Sequence, residues 1–168
     1  MTELEETLKT IYLLRHAKSN WKDETLTDIE RPLNERGRKA AETIGDLLKK
    51  EKIVPDLVLS SSAIRARETT DLVMQAGGLS SELRFDEHIY EATPQKLLEV
   101  VQQIDESKKN VLLVGHNPGF EQLLVLLTGS VERFATATLA KINLKAATWA
   151  SVKRDSGDLE WIVRPKEL

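Results

Sequence analysis

The chain has 168 residues, no cysteine and a formal net charge of −3. That length favours one domain with a real hydrophobic core. The missing cysteines exclude a disulfide framework, a thiolate zinc site and a cysteine nucleophile, and the mild acidity excludes a global positive field that would draw the protein to nucleic acid. Any anion site must therefore be a local cluster of cations. The opening MTELEETLKT lacks the basic start and apolar run of a secretory signal, and no apolar run approaches the ~20 residues needed to span a bilayer. A cytoplasmic protein without a membrane partner is the expectation.

Residues 1–9 read as a loosely ordered lead-in to a single domain that takes in the whole chain, 1–168. TIYLLRH (10–16) is a short apolar strand bounded by charge. Residues 17–33 are polar and without period, a loop of a length that is often functional. Asn34 is placed to cap a helix in which Ala40, Ala41, Ile44, Leu47 and Leu48 recur at helical spacing. DLVLSS (56–61) is a second buried strand and AIRARETTDLVMQAGG a second helix closed by glycine.

ELRFDEHIY contains a short third strand, and TPQKLLEVVQQI starts like a helix, with Thr93 as cap and Pro94 in its first turn. NVLLVGH (110–116) is the fourth strand, followed by a helix in PGFEQLLVLLTG, whose apolar run reads as buried. The tail from residue 138 alternates like antiparallel strands around a turn at Ser156–Gly157. Strand–helix alternation predicts an α/β fold, a three-layer α/β/α sandwich with a mostly parallel central sheet. Ligands of such sheets bind outside the carboxyl ends of the strands.

Three of those ends carry the same chemistry. The first strand ends at Arg15–His16, the second at Ser60–Ser61–Ser62 with Arg65 following, and the fourth at Gly115–His116–Asn117. Arginine presents a planar fork of donors matched to phosphate oxygens. Helix starts near Ser62 and Asn117 add backbone donors, and Gly115 allows close approach of a ligand to the backbone. A neutral imidazole among them can attack phosphorus.

LLRHAKS, DIERPLNERGRKAA, LSSSAIRARETT and LLVGHNPG resemble, in order and spacing, the signatures of the histidine phosphatase superfamily (branch 1), and within it the SixA-like phosphohistidine phosphatases. The resemblance spans roughly residues 10–128 and implies a phosphoglycerate mutase-like fold. It implies that His16 is the histidine that becomes phosphorylated. Arg15 and Arg65 bind phosphate, His116 is the second active-site histidine, and Glu91 is the positional match for a proton-donating acid, ahead of Glu87. It implies no metal and no cofactor, and free phosphate or sulfate is expected to bind in the same pocket.

Asn117, Ser19 and Arg31 are further candidates for substrate contact, each with an ordinary alternative. Asn117 can orient its loop, Ser19 and Lys18 can line the mouth or sit idle, and Arg31 can brace the loop through Asp28. Arg65 could instead pair with Glu68 on its helix. Arg67 and His88 read as surface or packing residues, and Trp21 as loop packing or a substrate platform. The reaction implied is hydrolysis of phosphohistidine on a partner protein, a histidine phosphotransfer protein being one candidate. The alternatives are a phosphatase for small phosphorylated metabolites such as sugar or aryl phosphates, and a non-catalytic phosphate-binding module.

Overall fold

The computed structural model describes residues 8–168. Residues 1–7 of the expected lead-in lie outside the described residues. Lys9 already belongs to the sheet, and Leu8 before it donates its N–H to the Leu144 carbonyl at 2.9 Å. The strand therefore starts one residue earlier than its apolar pattern indicates: β1 spans Lys9–Arg15. The elements that follow are α1 (Glu35–Lys50), β2 (Leu57–Ser61), α2 (Ile64–Gly77), β3 (Glu82–Asp86), α3 (Pro94–Gln102), β4 (Asn110–Gly115), α4 (Gly119–Thr128), β5 (Leu139–Leu144) and β6 (Gly157–Val163).

The six strands lie in the order β3-β2-β4-β1-β5-β6. β1 pairs with β4 in parallel, as β2 does with β3 and β4, while β5 runs antiparallel to both β1 and β6. Both faces are covered, which is why β1, β2 and β4 read as nearly continuous apolar runs. Alternate residues of β1 divide between two cores. Ile11 and Leu13 join Leu97 and Val101 of α3 with Phe120, Leu123 and Leu127 of α4. Tyr12 and Leu14 join Ala41, Ile44 and Leu48 of α1 with Ala66 and Val73 of α2.

Local chemistry fixes the helix ends. The Asn34 side chain accepts from the Gly37 N–H at 2.8 Å, the expected N-cap. Gly78 closes α2 in the left-handed region, at φ 62°. The Thr93 hydroxyl accepts from the Lys96 N–H at 3.1 Å, with Pro94 in the first turn of α3. The tail departs from a tight hairpin: residues 145–156 separate β5 from β6 and include a single 3₁₀ turn, Trp149–Ser151. The cause is Trp149, which the connection carries into the first core, where its indole N–H donates to the Lys108 carbonyl at 2.7 Å.

Parallel register brings the three strand ends together. Arg15 is level with Gly115, and Ser60 with Val114. One residue further on, the His16 N–H donates to the Gly115 carbonyl at 3.0 Å. His16, Ser61 and His116 thus reach the same carboxyl edge.

Candidate active site

His16 and His116 face each other across that edge with ring centroids 5.1 Å apart. His16, His116 and Arg65 are each only 7% exposed, so their donors and lone pairs work in a desolvated pocket. Nδ1 of His16 lies 2.7 Å from the Ala17 carbonyl oxygen. A carbonyl can only accept, so Nδ1 carries the proton and Nε2 keeps its lone pair. Arg65 Nε donates toward that Nε2 at 3.4 Å. Burial, with help from His116, Arg65 and Arg15, pushes the His16 pKa down to about 3 against the opposing pull of the Ala17 carbonyl. The ring is therefore neutral at physiological pH.

His116 is set the other way round. Its Nε2 lies 2.7 Å from the Ser61 hydroxyl oxygen, which also accepts from the Ala63 N–H at 3.2 Å. The described residues offer the Ser61 hydroxyl proton no acceptor other than Nε2, so the hydroxyl donates to Nε2 and His116 carries its own proton on Nδ1. That Nδ1 is buried without a partner, as is Arg15 Nε. Buried donors are ordinarily satisfied, so these two are suited to an oxyanion. Burial, then the Arg65 and Arg15 charges, push the His116 pKa down to about 4, with Asp28 opposing.

The arginines are held from behind. Arg15 Nη1 donates to the Phe134 carbonyl at 2.9 Å. Arg65 Nη1 donates to the Asp28 carbonyl at 2.8 Å and Nη2 to Asp28 Oδ2 at 3.1 Å. Arg65 is committed to Asp28 and His16 and not to Glu68. Glu68 accepts from the Leu33 N–H at 2.8 Å and faces Arg38. Burial would raise the Asp28 pKa, but the Tyr90 hydroxyl bond and the Arg65 and Arg31 charges outweigh it and hold the carboxyl below its ordinary range.

The remaining candidates fall around this centre. Glu91 stands exposed on the rim at φ 52°. Burial, then the Asp28 and Glu91 carboxylates, push the Tyr90 hydroxyl up to about 12. Glu87 is exposed in the 3₁₀ turn before it. Arg31 bonds Asp28 Oδ1 and lies under the Trp21 ring, 3.1 Å from its centroid, so its geometry is that of the loop brace. Asn117 uses its amide to hold Glu121 and the Phe134 carbonyl, both at 2.8 Å, which orients its loop. Ser19 is buried and tied by a backbone bridge to Leu33. Arg67 bonds the Ser62 carbonyl and covers Phe85, and His88 is an exposed partner of Asp86. The apolar α4 is buried as expected. Gly115 also serves packing: a Cβ there would meet the Phe120 ring at 2.7 Å.

Three contributors carry a weak signal in the sequence. Ser61 closes a strand, Thr69 sits one turn beyond Arg65, and Tyr90 precedes Glu91. Thr69 links helix to loop, donating to the Arg65 carbonyl at 2.7 Å and accepting from the Ala17 N–H at 2.9 Å. Tyr90 packs edge-on against His116 at 5.5 Å. No group of three or more His, Asp or Glu side chains among the described residues could hold a metal ion, and no helix among them is long and apolar enough to cross a membrane.

The sequence pattern described as Histidine phosphatase superfamily (branch 1) matches residues 11–96. An uncharacterized protein of Mycobacterium tuberculosis is 30% identical over 151 residues, covering 83% of this chain and 92% of that protein. The crystal structure of a SixA from Agrobacterium tumefaciens, assigned as a phosphohistidine phosphatase, is 31% identical with a TM-score of 0.81, covering 94% of this chain and 99% of that one. The protein histidine phosphatase SixA complexed with tungstate shares the fold at 22% identity, with a TM-score of 0.82 and coverage of 94% and 98%.

Proposed function

The chain belongs to the histidine phosphatase superfamily (branch 1), and from that premise we propose that it is a phosphatase acting on phosphohistidine carried by a partner protein, with His16 as nucleophile. Nε2 of His16 attacks phosphorus in line. The substrate's ring is protonated at its other nitrogen; its bond to phosphorus breaks, the electron pair stays on the ring nitrogen, and neutral imidazole departs. The positive charge gained by the His16 ring is shared through Nδ1–H with the Ala17 carbonyl. Arg65, the free Nε–H of Arg15 and Nδ1–H of His116 hold the equatorial oxygens, where charge accumulates. Water then attacks the phosphohistidine enzyme, the P–Nε2 bond breaks, and phosphate departs. In this scheme the electrostatic work falls to the arginines and needs no metal.

The observation that carries the reading is the state of the pocket's carboxylates. Asp28, in the wall, is locked ionised by Arg65, Arg31 and Tyr90, and Glu91 stands in solvent on the rim. An alkoxide leaving group needs a proton from a positioned acid, worth typically ~10²–10⁴-fold. A phosphohistidine protonated at its other ring nitrogen releases neutral imidazole, whose conjugate acid has a pKa near ~6.5, and needs none from the protein. The likeness to SixA over nearly the full length of both chains supports the same substrate class.

The test is a substrate panel of a phosphohistidine protein, free phosphohistidine and phosphomonoesters of graded leaving-group pKa. It is run on the wild type, Glu91→Gln, Glu87→Gln and His16→Ala. Phosphohistidine should be preferred, with a flat response to both glutamate changes and no turnover by His16→Ala. A preference for poor leaving groups that collapses in Glu91→Gln favours the small-metabolite phosphatase instead.

A further inference from the structure

Beside the catalytic pocket lies an open groove of about 540 Å³ lined by Lys18, Arg36, Arg133, Arg164, Lys166 and Glu167 over a floor that includes Ala40, Ala135 and Pro165. We infer that this groove docks an acidic segment of the phosphorylated partner protein, next to the phosphohistidine that His16 attacks; the inference rests on the function proposed above.

Two walls of the groove are continuous with the pocket. Lys18 follows the nucleophile by two residues. Arg133 precedes Phe134, whose carbonyl accepts from Arg15, and Thr136 precedes Ala137, whose N–H bonds the Arg15 and His16 carbonyls at 3.1 Å each. The groove is therefore within reach of residues that flank a phosphohistidine held in the pocket.

The charge in the groove is unspent. Arg164 is engaged by Glu132 at 3.5 Å, by Glu167 at 3.6 Å and by the Arg133 carbonyl at 2.7 Å. That removes the one acid lining the groove and one of its five cations. The side chains of Lys18, Arg36, Arg133 and Lys166 form no ion pair or hydrogen bond among the described residues, and all four are exposed. Four unpaired cations gathered in one groove stand out on a chain with a net charge of −3. Such a patch attracts and orients an acidic surface.

The state of these side chains favours a polypeptide over a second small phosphate. Arg15 and Arg65 bind phosphate through forks already held by carbonyls and a carboxylate. Lys18, Arg36, Arg133 and Lys166 have no such scaffold. Their exposed ammonium and guanidinium heads above an alanine- and proline-lined floor suit the spread charge and apolar stems of an Asp/Glu-containing segment.

Two phosphohistidine peptides of equal length separate the outcomes, one with Asp and Glu flanking the phosphohistidine and one with Asn and Gln. The wild type should turn over the acidic peptide with ~10-fold higher kcat/KM at low salt, mainly through KM. At about 0.5 M salt, where screening is short-ranged, that ratio should fall toward ~1. Arg36→Glu/Lys166→Glu, checked for folding by circular dichroism, should lose the ratio at low salt as well. Equal turnover of the two peptides by the wild type, or an unaltered ratio in the variant, overturns the groove assignment while leaving the phosphohistidine reading intact. Hydrolysis of p-nitrophenyl phosphate with neither peptide touched overturns the phosphohistidine reading itself, and the groove assignment with it.

Discussion

Arg65 and His16 meet at the reacting atom: the guanidinium Nε–H donates to Nε2 of His16 across 3.4 Å, while Asp28 holds the other two guanidinium nitrogens at 2.8 and 3.1 Å. The contact to His16 is the long one, and the others are well formed. Arg65 is thus anchored by Asp28 and turns its Nε–H to the place where a phosphoryl oxygen arrives. Arg65→Lys keeps the charge and loses the fork. Its kcat/KM on a phosphohistidine peptide should fall by ~10²–10³, the cost of one preorganised donor at a developing charge. Activity within a factor of about three of the wild type would remove Arg65 from the transition state.

Ser61 sets the proton of His116 from outside the reaction. Its hydroxyl lies 2.7 Å from Nε2 and leaves Nδ1–H for the phosphate. Ser61→Ala frees the ring to take either tautomer, and kcat should drop about tenfold, equivalent to the ~1.4 kcal/mol of a typical lost hydrogen bond. The decisive readout is the ¹⁵N spectrum of the His116 ring, which should show Nδ1–H in the wild type and a mixture in the variant. A loss of kcat with an unchanged tautomer would make Ser61 a packing residue.

The two histidines also set how the protein responds to acid. Both are held neutral, with pKa values pushed from 6.5 down to about 3 for His16 and about 4 for His116, chiefly by burial. Between those values and 6.5 the unfolded chain binds more protons than the folded one. Stability is therefore full above pH 6.5 and falls as pH drops toward 4, by at most ~1.4 kcal/mol per pH unit for each histidine. Asp28, with its carboxyl below the ordinary 3.8, adds its own loss only lower down. Urea midpoints of the wild type should decline from pH 6.5 to 4.5. His16→Gln/His116→Gln should show a shallower slope, and parallel slopes would contradict the buried neutral state.

Gly37 lets α1 press against the segment that follows the nucleophile. A Cβ there would lie 2.2 Å from the Lys18 carbonyl oxygen, a backbone atom that also accepts from the Asn34 N–H at 2.9 Å. Gly37→Ala should cost ~1–3 kcal/mol through overpacking and reduce activity by moving residues 17–19. Chemical denaturation and steady-state kinetics on the same variant check both halves. A fully stable, fully active variant would show that α1 does not position the loop.

The strands and helices were legible because each carries a short-range signal: the apolar runs of β1, β2 and β4, the caps Asn34 and Thr93, the stop at Gly78. His16, Arg65 and His116 were legible because parallel strands end at one edge. The supporting shell was not. Asp28 reaches Arg65 from a loop 37 positions away, and Tyr90 reaches Asp28 across 62, separations that no local period encodes. The packing demand on Gly115 was not legible, because the atom that excludes a side chain there belongs to Phe120 and not to a neighbour in sequence. The β5–β6 connection was misread because alternation alone does not reveal that Trp149 must turn inward.

The most direct test of the central claim is acid-stable versus acid-labile phosphate trapping on the wild type, mixed rapidly with a phosphohistidine peptide and analysed by ³¹P NMR and peptide mapping. The account predicts a transient, acid-labile phosphoryl group on Nε2 of His16, absent from His16→Ala, which should also be inactive. Turnover without a phosphoenzyme, label on any other residue, or undiminished activity in His16→Ala would contradict it.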